Sequence, residues 1–290
     1  MHSVKEFLSD FKKLIKLRLT FLVVFSASIC FLIAQKNTES INWKHWLMLI
    51  VGGFLVTGAA NGFNEIIEKD LDKLMTRTAN RPLPSGSMTT GQALVLSLIM
   101  GIFGTYLLGS LNLTTGLLSV FSIFFYAFIY TPLKRVGTIA VFMGAIPGAL
   151  PPLIGYVAAY GKIDSFAIIL FLIQFVWQFP HFWAIAWVLD DDYKKAGFRL
   201  LPTQKRDRTS AIVTLIFTVL LLPVSLLPTF YGFGGYVIAG VSVFCSLVFI
   251  YQAAMLTLKM DIKSAKSLMY GSFLYLPIVQ IVLLFDLIKK

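Results

Sequence analysis

Charged side chains are scarce in this sequence. Asp, Glu, Lys and Arg make up 13% of its 290 residues, about half the usual share of a soluble domain, and no stretch is polar enough to form such a domain. Cysteine is nearly missing. Cys30 and Cys245 both fall inside apolar runs, which excludes a disulfide framework or a thiolate metal cluster and leaves them as packing residues. Low-complexity segments and solenoid-type repeats are absent. Acid is scarcer than base, with 14 Asp+Glu against 25 Lys+Arg. In a soluble protein that excess would point to nucleic acid. Here hydrophobic residues reach 57% and mean hydropathy is +0.80, so the basic residues report membrane orientation and no nucleic-acid partner is expected.

What is abundant is long apolar runs. Nine can span a hydrocarbon core of about 30 Å, which needs roughly 17–25 helical residues. They cover 15–35, 45–67, 92–110, 113–131, 138–158, 165–189, 210–229, 233–256 and 267–287. The expected fold is therefore all-α: one polytopic membrane domain over residues 1–290, because helices satisfy their own backbone in lipid. A tight Ser110-Leu-Asn112 turn separates the third and fourth runs. The first run is a full span with no small-residue cleavage site after a short one, so it reads as a retained helix rather than a signal peptide.

Charge chooses the orientation. On the N-terminal side lie Lys5, Lys12, Lys13, Lys16, Arg18, Lys69, Lys73, Arg77, Arg81, Lys134 and Arg135. Lys194, Lys195, Arg199, Lys205, Arg206, Arg208, Lys259, Lys263 and Lys266 join them. The other side holds Lys36, Lys44, Lys162, Lys289 and Lys290. This bias puts the N-terminus and the charged loops in the cytoplasm, and an even number of spans would scramble it. His2 and His45, at a terminus and on the far side, read as incidental.

The acids that remain are concentrated. Asn64-Glu-Ile-Ile-Glu68-Lys-Asp70-Leu-Asp72 ends the second span, and Met75-Thr-Arg77-Thr78-Ala-Asn-Arg81-Pro82-Leu83-Pro84 follows. At about 100° per residue, Asn64, Glu68 and Asp72 fall within roughly 80° of one another, and Asn61 and Glu65 share their stripe. Asp70 points the opposite way. Converging oxygens suit a divalent cation, and arginines in the next turn suit a phosphate that the metal would bridge. A solvated helix end would account for a single acid, but not for this series.

A second cluster closes the sixth span: Gln178-Phe-Pro180-His181-Phe182-Trp183, then Trp187-Val188-Leu-Asp190-Asp191-Asp192-Tyr193-Lys194-Lys195. Three adjacent aspartates cannot all face one site, since about 100° separates neighbours. Asp192 is the first candidate and Asp191 the second, while Asp190 reads as a solvated cap. Two acidic helix ends facing each other, ringed by Arg77, Arg81, Lys134 and Lys195, suggest Mg²⁺-bridged diphosphate binding. The apolar interior below would hold an isoprenoid tail.

At these residues the chain resembles the UbiA-type intramembrane prenyltransferases, and within them the protoheme IX farnesyltransferase (heme O synthase) subfamily. The superfamily's Asn-x3-Asp-x3-Asp motif is matched by Asn64, Glu68 and Asp72. A Met-x-Arg-Thr-x2-Arg-Pro-Leu pattern is matched by Met75, Arg77, Thr78, Arg81, Pro82 and Leu83. A Tyr-Thr-x-Leu-Lys-Arg loop is matched by Tyr130, Thr131, Leu133, Lys134 and Arg135, and the run from Gly144 to Gly155 is similar to the family's small-residue segment. Pro-His-Phe-Trp at 180–183 and Asp-Tyr-x2-Ala-Gly at 192–197 are the most subtype-specific pieces. The chain departs at Val188, where the superfamily often has an acid, at Lys16-Leu17-Arg18, where the family has Lys-Pro-Arg, and at Arg199.

The resemblance implies a UbiA-like bundle and farnesyl transfer from farnesyl diphosphate to the vinyl group of heme B with addition of water, giving heme O and diphosphate. It implies Mg²⁺ held by Glu68, Asp72, Asp191 and Asp192, with Asn64 beside them. The diphosphate would be met by Arg77, Arg81, Tyr130, Thr131, Lys134, Arg135 and Lys195. His181 and Trp183 are candidate heme contacts, because histidine is a common haem ligand and Trp stacks on large rings. A multi-pass protein of the cell inner membrane is implied, with heme A synthase or a terminal oxidase assembly as its associate. Two other readings share parts of the pattern. A prenyltransferase acting on a quinone precursor or lipid would keep both acidic clusters. A transporter would place acids along an intramembrane path, whereas these sit at helix ends.

Overall fold

The computed structural model describes residues 4–36 and 40–288; His2, Lys289 and Lys290 lie outside them. Among the described residues nine helices are long and apolar enough to cross a membrane, and the β-structure is a single bridge between Gly234 and Leu287. The fold is all-α and multi-pass. The chain starts with α1 (Val4–Leu14), then α2 (Leu17–Gln35), α3 (Trp43–Asp72), the short α4 (Pro82–Ser85) and α5 (Thr90–Gly109). The fourth crossing is composite: α6 (Leu113–Phe124), a π-helical segment (Phe125–Tyr130) and α7 (Thr131–Leu133). The fifth bends between α8 (Ile139–Gly148) and α9 (Leu150–Tyr160). Then come α10 (Ser165–Lys195), α11 (Arg208–Phe230), α12 (Tyr236–Lys259) and α13 (Ile262–Phe285).

Local chemistry starts these helices. Asn42, Asn112, Asp164, Asp207 and Asp261 each accept from a backbone N–H three residues on, which satisfies one of the free donors at a helix N-terminus. Thr89 and Gln92 form a reciprocal capping box. In chain order the helices close a ring: α2 packs on α3, α3 on α5, α5 on α6, and α6 on α9. On the other side α10, α11, α12 and α13 pack in succession, and α13 returns to α2. α9 is drawn tightly against α2, since a methyl group at Gly155 would overlap the Ala27 carbonyl.

Two crossings run further than hydropathy indicates. α3 continues to Asp72 rather than residue 67, and α10 to Lys195 rather than 189. Hydropathy ends where lipid ends, but the hydrogen-bond ladder continues while its polar side chains find partners. α1 was not expected at all. Val4, Phe7, Leu8, Phe11 and Leu14 recur at helical spacing; Leu14 packs with Leu83, Met88 and Ala93, while Val4, Phe7 and Leu8 are exposed. The run 15–35 thus begins with a break, and Lys16 at that break has φ 49°.

Candidate active site

The charged end of α3 lies beneath a cavity of about 200 Å³. Its polar lining is Lys16, Asn64, Glu68, Asp72, Arg77, Arg81 and Lys134, and Tyr126, Tyr130 and Tyr193 add aromatic faces. The apolar wall includes Phe182, Ile185, Phe198 and Leu200. As the helical spacing requires, Asn61, Asn64, Glu65, Glu68 and Asp72 are buried, while Asp70 faces out and pairs with Lys73 at 3.4 Å.

These buried groups are held by one another. Lys16 Nζ donates to Asn64 Oδ1 at 2.6 Å. The Asn64 amide donates to Glu68 Oε2 at 3.0 Å and to Thr131 Oγ1 at 2.9 Å. Lys134 Nζ donates to Glu68 Oε2 at 2.9 Å, and Arg81 Nη1 to Asp72 Oδ2 at 2.6 Å. Three carboxylate oxygens of this stripe accept no hydrogen bond: Glu65 Oε2, outside the cavity lining, and one each on Glu68 and Asp72 within it. Glu68 Oε1, although 2.9 Å from Lys134, and Asp72 Oδ1 are buried and accept no hydrogen bond. Buried oxygens of this kind are expensive to leave bare, so this donor set fits a hard cation.

The cations titrate differently. Burial, then the charges of Arg81 and Lys134, pull Lys16 down to about 7 against the opposing pull of Glu68 and Asp72. Burial works against Lys134 as well, but Glu68 and Tyr126 hold it above the ordinary lysine value. Lys134 is therefore a permanent charge and Lys16 a conditional one.

Tyr130 and Thr131 come from the π-helical segment and the turn after it. Wide π turns recur at functional sites, and here one brings Tyr126 and Tyr130 to the cavity, with Lys134 4.8 Å above the Tyr130 ring. Thr131 lies behind the lining, on Asn64. Arg135 is exposed and outside the cavity.

The second acidic cluster sits elsewhere than the helix-end argument expects. Neither Asp191 nor Asp192 lines the cavity. Asp192 Oδ1 accepts from the Thr76 backbone N–H at 2.8 Å, and Oδ2 from that of Arg77 at 3.2 Å. Lys195 Nζ adds 3.1 Å to Asp192 and 2.7 Å to Thr76 Oγ1, so Lys195 also lies outside. Asp191 is exposed and meets Arg206 at 2.9 Å. Asp190, expected as a solvated cap, is buried against Lys194 at 2.5 Å. The reason is the length of α10: it runs on to Lys195 rather than residue 189, and this extension carries the acids past the cavity and onto neighbouring loops.

His181 and Trp183 also lie away from the lining. His181 Nδ1 is 2.7 Å from Ser272 Oγ on α13, and its ring stacks on Trp177 at 4.5 Å. Trp183 is buried among Phe142, Phe179 and Phe217. Residues that sequence reasoning passed over include Tyr126, one turn before Tyr130, and Phe182, Ile185 and Tyr193, which share the cavity-facing stripe of α10. The Tyr126–Tyr130 spacing was the available signal.

The cavity joins a cluster of charged side chains to an apolar wall, in a bundle whose helices are long and apolar enough to cross a membrane. The chain belongs to the UbiA prenyltransferase family, whose model matches residues 23–276. A protein of Cytophaga hutchinsonii named protoheme IX farnesyltransferase is 46% identical over 276 residues, covering 94% of this chain and 96% of the relative. Among solved structures, one of digeranylgeranylglyceryl phosphate synthase superposes with a TM-score of 0.80 at 22% identity, covering 96% of this chain and 98% of its own. A UbiA homolog from Archaeoglobus fulgidus bound to GPP and Mg²⁺ gives 0.62 at 12%, covering 95% and 99%. At those identities the structures establish the fold.

Proposed function

We propose that this prenyltransferase moves a farnesyl group from farnesyl diphosphate to a vinyl group of heme B, giving heme O. The observation that carries the acceptor is the 46% identity to the Cytophaga hutchinsonii protoheme IX farnesyltransferase across nearly the full length of both chains. The donor half rests on the cavity: four cationic side chains face two carboxylates, above an apolar wall.

Asn64, Glu68 and Asp72 would hold Mg²⁺, which supplies charge compensation for the departing diphosphate. Arg77, Arg81 and Lys134 meet the same developing charge from the protein's side. The allylic C–O bond breaks, its electron pair leaves with diphosphate, and the Tyr126 and Tyr130 faces attract the remaining cation. The vinyl carbon of the heme attacks that cation. Water then adds to the new cation on the vinyl group and releases one proton, so farnesyl diphosphate, heme B and water become heme O, diphosphate and a proton. The apolar wall keeps water from the first cation until the carbon–carbon bond has formed.

The charge distribution supports a cytoplasmic N-terminus and active site in a bacterial inner membrane. Heme A synthase or a terminal oxidase under assembly would then receive the product. Membranes holding this protein, given heme B, farnesyl diphosphate and Mg²⁺, should yield a heme heavier by one farnesyl group and one water, and a chelator should stop the reaction. Prenylation of a quinone precursor or lipid in place of heme would overturn the acceptor and keep the site. Absence of any transfer, with metal-dependent solute flux, would overturn both.

A further inference from the structure

We propose that Asp192 is a positioning residue that latches the loop between α3 and α4 over the cavity, and that the acidic end of α10 holds no metal in this chain. The two acidic helix ends differ in what their oxygens do. Inside the cavity, Glu68 Oε1 and Asp72 Oδ1 are buried and accept no hydrogen bond. At Asp192 both oxygens are taken by consecutive backbone N–H groups of Thr76 and Arg77, at 2.8 and 3.2 Å. Consecutive N–H groups of this kind form a concave anion seat, and a carboxylate of the protein itself fills it. Lys195 ties the same two partners together, 3.1 Å from Asp192 and 2.7 Å from Thr76 Oγ1.

The neighbours of Asp192 offer no alternative ligand set. Val188, one turn earlier on that face, has no oxygen to give. Asp191 meets Arg206 at 2.9 Å. Asp190 Oδ2 is buried without a hydrogen bond, but two cations neutralise it, Lys194 at 2.5 Å and Arg206 at 3.8 Å. What the latch fixes is functional, since the loop it holds brings Met75, Arg77 and Arg81 to the cavity. The residue after Asp192 completes the hold, because the Arg77 guanidinium lies 5.5 Å over the Tyr193 ring. Asp192 sets the loop backbone and Tyr193 sets the side chain.

The inference takes the cavity as the prenyl diphosphate site, and its test also has a readout free of substrate and metal. Full-length protein in lipid nanodiscs with EDTA would be treated with trypsin, and cleavage after Arg77 followed with time. Loss of the two backbone hydrogen bonds should make Asp192→Ala open on the order of thirtyfold faster. Asp192→Asn should be intermediate and Lys195→Met mildly faster, with Glu68→Gln at the wild-type rate. In transfer assays Asp192→Ala should raise KM for farnesyl diphosphate with kcat largely kept and the half-saturating Mg²⁺ unchanged, whereas Glu68→Gln should shift the Mg²⁺ dependence. Wild-type cleavage rates for Asp192→Ala and Asp192→Asn in EDTA, or a large rise in their Mg²⁺ requirement, would overturn the latch and return Asp192 to the metal. If heme B is not the acceptor, the proteolysis still decides.

Discussion

At the scale of single residues, the buried carboxylates of Glu68 and Asp72 dominate. Glu68→Gln and Asp72→Asn keep shape and remove charge, so each should lower kcat/KM by about 100-fold or more while the protein stays inserted. Asp70→Asn, on the exposed side next to Lys73, should stay within about twofold, as surface charges generally do. Equal sensitivity of Asp70 and Asp72 in the transfer assay would break the stripe argument. Lys16 makes a second prediction. It is charged below about 7 and neutral above; a bound diphosphate adds negative charge and raises that value. Binding should therefore take up a proton at pH 8 but not at pH 6, and affinity should fall as pH rises through 7. Calorimetric titration with farnesyl diphosphate in buffers of different ionisation enthalpy checks it, and Lys16→Met should abolish the uptake. Lys134, held charged by Glu68, should show no such step.

At the scale of elements, the composite fourth crossing sets the aromatic side of the site. The Tyr130 ring packs against α8, where a Cβ at Gly144 would come 2.6 Å from it. Gly144→Val should displace that ring and lower kcat more than it lowers thermal stability, read by transfer rate and by unfolding in detergent. Much at this scale was legible beforehand. Faces within one helix follow from spacing alone, so Asn64, Glu68 and Asp72 could be grouped and Asp70 set apart. Spacing does not tell which distant segment a face will meet. Asp192 and Thr76 lie 116 residues apart, and nothing in either segment announces that a carboxylate will sit on backbone donors. The break at Lys16 was hidden for a different reason. Hydropathy reads 15–35 as one run and is blind to a residue turning left-handed between two helices.

At the scale of the whole molecule, the charged loops gather at one end of the bundle, joined by Lys134 to Glu68, Asp192 to Thr76 and Arg206 to the Trp187 carbonyl. The opposite end is closed more simply, by Lys36 on the last carbonyls of α13 at 2.5 and 2.6 Å. With cysteines placed singly, a membrane-impermeant maleimide should label Ser87→Cys from the cytoplasmic side and Lys162→Cys from the other. The reverse pattern would invert the bundle and put the site outside.

The cavity lining divides along the chain. Every charged side chain in it lies before residue 135, whereas Phe182, Ile185, Tyr193, Phe198 and Leu200 come from α10 and the loop beyond. Ionisation of the donor is thus encoded in the first stretch, while the second supplies an apolar wall that Leu19, Met75, Tyr126, Tyr130 and Val141 complete. Drift at Phe182, Ile185, Phe198 and Leu200 can retune which chain length or acceptor fits while Asp192 and Tyr193 keep the loop in place, so the chemistry can be inherited intact while its substrates change.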